Sequence, residues 1–271
     1  MFSPYSVQVV KEMCARLHLR PSKDRGQNFL IDQRVVESMV RSAAITSDET
    51  VIEVGPGWGA LTWGLSAAAK EVIAVEIEKK LVEFLRKEAK EKNITNVEIR
   101  EGDFLKEAVT FKNKITDSVI VTSLPYGISG QFFRALLARG HMPRRMVVLL
   151  QKEVGERLVA RPPHMSVLSI LAQWFGTPRV LTKVSPQSFW PQPEVESVVV
   201  AIERKDNQEE ESVEKSILEM VTRAFRNPRK KIANSLKIPK IKEKNIENMQ
   251  KRPEELSIHD WMEVGKKLEI I

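Results

Sequence analysis

The sequence predicts an α/β fold: a mostly parallel sheet of seven strands covered by helices, followed by a small all-helical domain. Three observations lead there. Between Val51 and Ile202 short apolar runs alternate with segments of helical spacing, the pattern of a parallel sheet covered on both faces. The first of those runs ends in a glycine-rich loop, Gly55 to Gly59. After Arg204 the β-branched runs stop and helical spacing takes over.

Taken in order, VIEVG (51–55) is rich in β-branched residues and closes on glycine, so it reads as a buried strand. Residues 61–69 have helical spacing, EVIAVEI (71–77) is a second strand, and 79–92 is a charged amphipathic helix. VEIREGD (97–103) and SVIVTSLP (118–125) are the third and fourth strands. A helix over 131–139 precedes the fifth strand, RMVVLLQ (145–151). Helices over 153–160 and 165–174 lead to two last strands, 177–184 and 197–203. The polar, acidic KDNQEEE (205–211) reads as a linker. Helical spacing returns over 212–226, 229–236 and 257–267. The division expected is a ligand-binding catalytic domain over 1–205 and a small helical domain over 206–271.

The chain has 271 residues, enough for one large α/β domain and a small appendage. Its apolar fraction of 42% suits a packed core. No run of about 18 apolar residues exists to cross a membrane. Residues 1–20 lack the unbroken apolar centre of a secretory signal. One cysteine, Cys14, forbids an internal disulfide. Together these point to a cytoplasmic protein, and nothing in the sequence calls for more than a monomer.

The net charge of +7 is compatible with a polyanionic partner, and its distribution says more. Arg223, Arg226, Arg229, Lys230, Lys231, Lys237, Lys240, Lys242 and Lys244 are opposed within their span only by Glu243. A second excess runs from Arg139 to Arg161 and includes Arg144, Arg145, Lys152 and Arg157. Either run alone could be a solvated face. Two of them beside a nucleotide-type site point to RNA phosphates.

Open parallel sheets bind ligands beyond the carboxyl ends of their strands, and the notable residues fall there. Gly55 and Gly57 let the backbone approach a ligand before a helix N-terminus. Gly55, Gly57 and Ala60 also satisfy a dinucleotide fingerprint, so a nicotinamide cofactor stays open at this point. Glu76, followed by Ile77, ends the second strand and can accept hydrogen bonds from ribose hydroxyls. Asp103 ends the third and can take one from an adenine amine, with Phe104 beside the ring.

Ser123, Leu124, Pro125 and Tyr126 follow the fourth strand. Pro125 fixes its own φ and biases Leu124 toward extended geometry, which makes a stiff turn able to aim carbonyls into a pocket. Tyr126 can stack on a base. Such a turn suits methyl transfer to an adenine amine, a poor nucleophile that needs acceptors and alignment rather than a strong base. No convincing nucleophile–base pair stands out. His18, His141, His164 and His259 are scattered without metal-ligand spacing, and no metal is expected.

On these residues the chain resembles the ribosomal small-subunit RNA adenine dimethyltransferases, which share a fold with the methyltransferases that confer macrolide resistance. The resemblance spans nearly the whole chain. It rests on GQNFLID (26–32), EVGPGWG (53–59), Glu76, Gly102-Asp103, SLPY (123–126) and QKEV (151–154) with Arg157-Leu158. It continues through SFWPQPEVES (188–197) and the segments around Phe225-Arg226, Arg229-Lys230-Lys231 and Asn234-Ser235-Leu236. It implies a Rossmann-like class I methyltransferase sheet that binds S-adenosyl-L-methionine through Asn28, Leu30, Gly55, Glu76 and Asp103. Gln27, Gly57, Ile77, Phe104 and Ser123 belong to the same segments and are expected beside them. It further implies that Tyr126 and Phe189 sandwich the target adenine, with the Leu124-Pro125 backbone near its amine. Arg144, Arg145, Lys152, Arg157, Arg223, Arg226, Arg229, Lys230 and Lys231 are the expected RNA contacts. The implied substrate is a pair of adjacent adenosines in a hairpin near the 3′ end of small-subunit rRNA.

One residue departs from that family: it has asparagine where this chain has Ser123. Serine offers one short hydroxyl in place of an amide, so slower transfer or a bias toward a single methyl is expected. A large-subunit methyltransferase of the macrolide-resistance type and a non-catalytic ribosome-assembly factor are the rival readings.

Overall fold

The computed structural model describes residues 2–22, 26–107, 112–137, 142–205, 211–239 and 248–271. Its main sheet has seven strands: β2 (Thr50–Val54), β3 (Glu71–Glu76), β4 (Val97–Glu101), β5 (Val119–Ser123), β6 (Arg145–Gln151), β7 (Gly176–Val184) and β9 (Ser197–Arg204). They lie in the order β4-β3-β2-β5-β6-β9-β7. The first five run parallel, and β9 is antiparallel to both β6 and β7. A separate two-stranded ribbon joins β1 (Phe29–Leu30) to β8 (Phe189–Trp190). All seven main strands predicted from the sequence are present, within two residues at nearly every end.

The central strands are almost wholly apolar because both of their faces are covered. The period of two then sorts their side chains. Ile52, Ile73, Ile120, Met146, Val148 and Val200 face one layer, which includes Phe132, Phe133, Leu158 and Leu171. Val51, Val72, Val119, Val147, Leu149 and Val199 face the other, which includes Val36, Met39, Leu61 and Leu65. The edge strands β4 and β7 are largely exposed.

Two helices of ten or more residues lie outside the sequence reading, as do the short Phe104–Glu107 and Lys112–Thr116. Val7–Arg16 starts at Ser6, whose side chain accepts from the Val9 N–H, and its Val10 and Cys14 pack against Leu81, Val82 and Leu85. Gln33–Ala43 is capped by Asp32 through the Arg34 N–H and buries Val36, Met39 and Ala43.

Helices Glu211–Phe225 and Ile232–Leu236 and the last helix, Ile258–Lys267, gather around Ile217, Val221, Leu236 and Trp261. Ser257 caps the last helix reciprocally with Asp260. This core takes in Met165 from just before helix Val167–Phe175 and Ile170 from within it, so the C-terminal helices share a buried seam with the sheet-bearing part. The expected linker over 205–211 and the boundary between 205 and 206 lie almost wholly outside the described residues. So do the end of the helix expected over 131–139, together with Arg139 and His141, and Lys240, Lys242 and Lys244.

Ile170 is 1% exposed at that seam. Ile170→Ala is therefore expected to cost about 2–4 kcal/mol and to lower the midpoint of a single thermal transition. Melting of the C-terminal helices alone, with the rest unmoved, would contradict the shared core.

Candidate active site

The parallel register of β2, β3, β4 and β5 places four carboxyl ends side by side. A cavity of about 340 Å³ opens there, within the range of small-molecule sites. Val54, Glu76, Gly102 and Ser123, at or just past those strand ends, all line it. Every residue assigned above to cofactor binding lines it too: Gln27, Asn28 and Leu30 from the N-terminal segment, Gly55 and Gly57 from the loop, Glu76 and Ile77, Asp103 and Phe104, and Ser123.

Three carboxylates reach this cavity, from Glu53, Glu76 and Asp103, and among the described residues no lysine, arginine or histidine lines it. Glu76 is buried, and its two oxygens accept from the Gly57 N–H at 3.1 Å and the Glu78 N–H at 3.0 Å. Burial raises its pKa, and those main-chain donors oppose the rise. Gly57 takes φ +57°, and a side chain there would lie 3.0 Å from the Phe29 ring. Asp103 accepts from the Leu105 N–H at 3.0 Å, and the exposed Lys106 ammonium lies 3.9 Å from its other oxygen.

Glu53 escaped the sequence reading. It interrupts the apolar run VIEVG, and that interruption was its signal. It is 1% exposed and accepts from the Thr62 hydroxyl at 2.7 Å. Burial pushes its pKa up to about 8, against the Thr62 hydrogen bond, and the nearby Glu76 adds to the rise. Gln131, in the first turn of helix Ser129–Leu137, also lines the cavity and was not foreseen.

The turn after β5 is held on three sides. The Leu124 N–H donates to the Leu149 carbonyl at 3.0 Å. The Pro125 carbonyl accepts from the Ile128 N–H at 3.1 Å and the Ser129 hydroxyl at 3.4 Å. The Tyr126 hydroxyl is hydrogen-bonded to Ser197 Oγ. Among the described residues nothing donates to the Leu124 carbonyl, which leaves it as the turn's available main-chain acceptor. Pro125 and Ser123 line the cavity, while the Leu124 side chain is buried in the core.

Tyr126 and Phe189 stand beside the cavity rather than in its wall. Their ring centroids are 6.2 Å apart, and the planes meet at 66°. The expected sandwich is therefore closed upon itself, and a base enters only if the rings part. Phe189 is carried by the ribbon, in which Leu30 pairs with Phe189 and Phe29 with Trp190. The Ser188 hydroxyl adds a bond to Asp32 at 3.1 Å. One wall of the cavity and one of the two rings thus belong to the same small sheet.

The expected RNA contacts divide. Arg157, Arg223, Arg226, Arg229, Lys230 and Lys231 are exposed; Lys231 also donates to the Gln250 side chain. Lys152, just past β6, pairs with Glu196 at 2.8 Å. Arg144 and Arg145 stand apart from the others. They stand at the amino end of β6, the opposite end of the sheet from the cavity. The Arg145 guanidinium is spent on the carbonyls of Ala43 and Ala44 and on the Glu49 carboxylate at 2.7 Å. Reading the run as one charged face overlooked that a seven-residue strand separates its members.

The family description "Ribosomal RNA adenine dimethylase" matches residues 19–269. A protein named ribosomal RNA small subunit methyltransferase A from Clostridium botulinum (strain Kyoto / Type A2) is 34% identical over 263 residues, 93% of this chain and 95% of the relative. One of the same name from Clostridium perfringens (strain SM101 / Type A) is 36% identical over 257 residues, 92% of this chain and 87% of the relative. Two solved structures share the fold at 23% identity, each over 89% of this chain. A dimethyladenosine transferase from Plasmodium falciparum matches at a TM-score of 0.74 over 97% of its length. The 23S rRNA methyltransferase ErmE matches at 0.73 over 100% of its length.

Two outcomes follow from this geometry. Glu53 keeps its proton in the folded chain up to about pH 8, whereas the unfolded chain releases it near the ordinary 4.5. Its contribution to stability is present at low pH and is lost as the pH rises across that window. Glu53→Gln should flatten the fall in melting temperature between those pH values, and an unchanged slope would contradict the assignment. Tyr126→Phe and Ser197→Ala should each cost about 1 kcal/mol, and the double variant less than their sum. Strict additivity in that cycle would show that the hydroxyl pair is not formed.

Proposed function

The chain belongs to the ribosomal RNA adenine dimethylase family and is an rRNA adenine dimethyltransferase, and we propose that its methyl donor is S-adenosyl-L-methionine. The observation that carries this reading is the charge of the cavity. The acids Glu76 and Asp103, beside a Glu53 that is neutral below about pH 8, with no lining cation among the described residues, suit a cofactor that bears a sulfonium and an ammonium group and offer a pyrophosphate no counter-charge. The Gly57 N–H, which a dinucleotide fold would turn toward phosphate, is committed to Glu76. That speaks against the nicotinamide alternative left open by the glycine spacing.

Glu76 is placed to take the ribose hydroxyls, and Asp103 the adenine amine, with Ile77 and Phe104 flanking the ring. When bound, the donor supplies an electrophilic methyl carbon. The protein's own part is to present the target amine. Ser123 Oγ and the Leu124 carbonyl accept its two N–H bonds and draw its lone pair out of conjugation, and Tyr126 and Phe189 hold the base between them. No side-chain base is required, because the proton lost from the amine passes to solvent once the methylated nitrogen is cationic.

The further reading is that the substrate is a pair of adjacent adenosines in a hairpin near the 3′ end of small-subunit rRNA, methylated while the subunit is assembled in the cytoplasm by a monomeric enzyme. Relatives that carry the small-subunit name at 34–36% identity along nearly the whole chain favour this over a large-subunit target. ErmE, at 23%, supports the fold alone. The exposed arginines and lysines of residues 223–231 supply a sequence-independent hold on the RNA backbone. We further read 1–205 as the catalytic part and 206–271 as an RNA-holding helical part.

The test is methylation of undermethylated small and large subunits with mass-spectrometric mapping. Methyl groups on small-subunit adenines are expected; labelling only of large subunits, or binding without transfer, would overturn the proposal. In the same assay Ser123→Asn should raise the rate or the dimethyl fraction. A contact missing at Ser123 is worth about 1–3 kcal/mol, or roughly 5- to 150-fold in rate if felt wholly in the transition state. Full dimethylation by the native chain, unimproved by the substitution, would show that serine suffices.

A further inference from the structure

Gly26 begins the N-terminal segment whose Gln27, Asn28 and Leu30 line the cavity. It has φ +62°, a conformation open to glycine and costly for most other residues. Its surroundings are tighter than its backbone angle alone demands. A Cβ on Gly26 would lie 2.7 Å from the Gly127 nitrogen, 2.9 Å from the Tyr126 nitrogen and 3.0 Å from Tyr126 Cβ. The Gly26 carbonyl accepts from the Tyr126 N–H at 3.3 Å and from Asn28 Nδ2 at 3.2 Å. The main chain of the cofactor segment therefore lies directly on the main chain of the turn that carries the stacking ring.

The same segment is tied at both of its ends. Ser22 and Gln27 exchange two hydrogen bonds, Gln27 N–H to the Ser22 carbonyl at 3.0 Å and Ser22 N–H to Gln27 Oε1 at 2.9 Å. Beyond β1 the Ile31 N–H donates to the Ser188 carbonyl at 2.9 Å, beside Phe189. A shift of this segment thus moves the seat of Tyr126 and the support of Phe189 together.

We infer that Gly26 is a positioning residue for the target base: it seats Tyr126 against the cofactor segment, so that filling the cofactor cavity and opening the slot between Tyr126 and Phe189 are energetically coupled. The inference rests on the proposed adenine-methylating function and adds to it a coupling between the two ligands. A ligand that presses Gln27, Asn28 and Leu30 into place favours insertion of the base, and by reciprocity an inserted base tightens that ligand.

The test uses the full chain and an RNA hairpin with 2-aminopurine at the target adenosine, whose fluorescence rises when the base leaves its stack. The cofactor probe is sinefungin, an amine analogue that cannot transfer a methyl group, and its own affinity is measured by calorimetry. In the native protein sinefungin should increase the fluorescence rise. Gly26→Ala should bind sinefungin nearly as the native protein does and lose the sinefungin-dependent rise. Its kcat on rRNA should fall about tenfold or more, as misplacement of a reacting group does. Gly26→Asn separates close approach from backbone angle, since asparagine tolerates positive φ but carries a Cβ; it should fail as Gly26→Ala does. It also gives the answer if the alanine variant does not fold. Native behaviour in Gly26→Asn, or loss of sinefungin affinity in parallel with the fluorescence, would overturn the inference. No fluorescence rise in the native protein with any RNA would instead overturn the proposed substrate.

Discussion

The Glu76 carboxylate, gripped by the Gly57 and Glu78 N–H groups, is the contact on which the site is built. It joins the loop after β2 to the end of β3, and so fixes the floor of the cavity from two successive strand ends. Burying a carboxylate is expensive, and two main-chain donors recover only part of that cost. Glu53 stands nearby under the same penalty, with its pKa raised to about 8. Glu76 and Asp103, beside a neutral Glu53 and with no lining cation among the described residues, make a place that suits a positively charged ligand better than an anion. That preference fits the methyl donor proposed above better than a phosphate-bearing ligand.

Much of this was legible in the sequence because the relevant signals are local. The central strands announce themselves by uninterrupted β-branched runs, and the ligand residues by their position at strand ends. What escaped did so for stated reasons. Helix Gln33–Ala43 carries an Asp32 cap and apolar positions at Val36, Met39 and Ala43, but it follows a segment read for its motif rather than for its periodicity. Glu53 was read as part of a glycine motif, although a lone acid inside an apolar strand is itself a signal. Arg145 looked like part of a basic face. Only the fold shows that it points to Glu49 at the far end of the sheet. The contact between Gly26 and Tyr126 spans a hundred positions and leaves no periodic trace.

The structure also qualifies the sandwich that the family resemblance implies. Tyr126 and Phe189 are in edge contact, and the tyrosine hydroxyl is occupied by Ser197. Opening that slot costs ring contact of about 0.5–1.5 kcal/mol, which a base entering it has to offset. Ser123 lines the cavity wall with one short hydroxyl.

The central claim is that an acidic cavity, with no lining cation among the described residues, chooses a cationic cofactor. Its most direct measurement is the calorimetric affinity of the protein for S-adenosyl-L-methionine beside that for NADH, repeated in Glu76→Gln. Tight binding of the sulfonium cofactor, weakened by the substitution, with no measurable heat from NADH, is the predicted result. Equal or tighter binding of NADH, or an affinity for S-adenosyl-L-methionine that Glu76→Gln leaves unchanged, would contradict it.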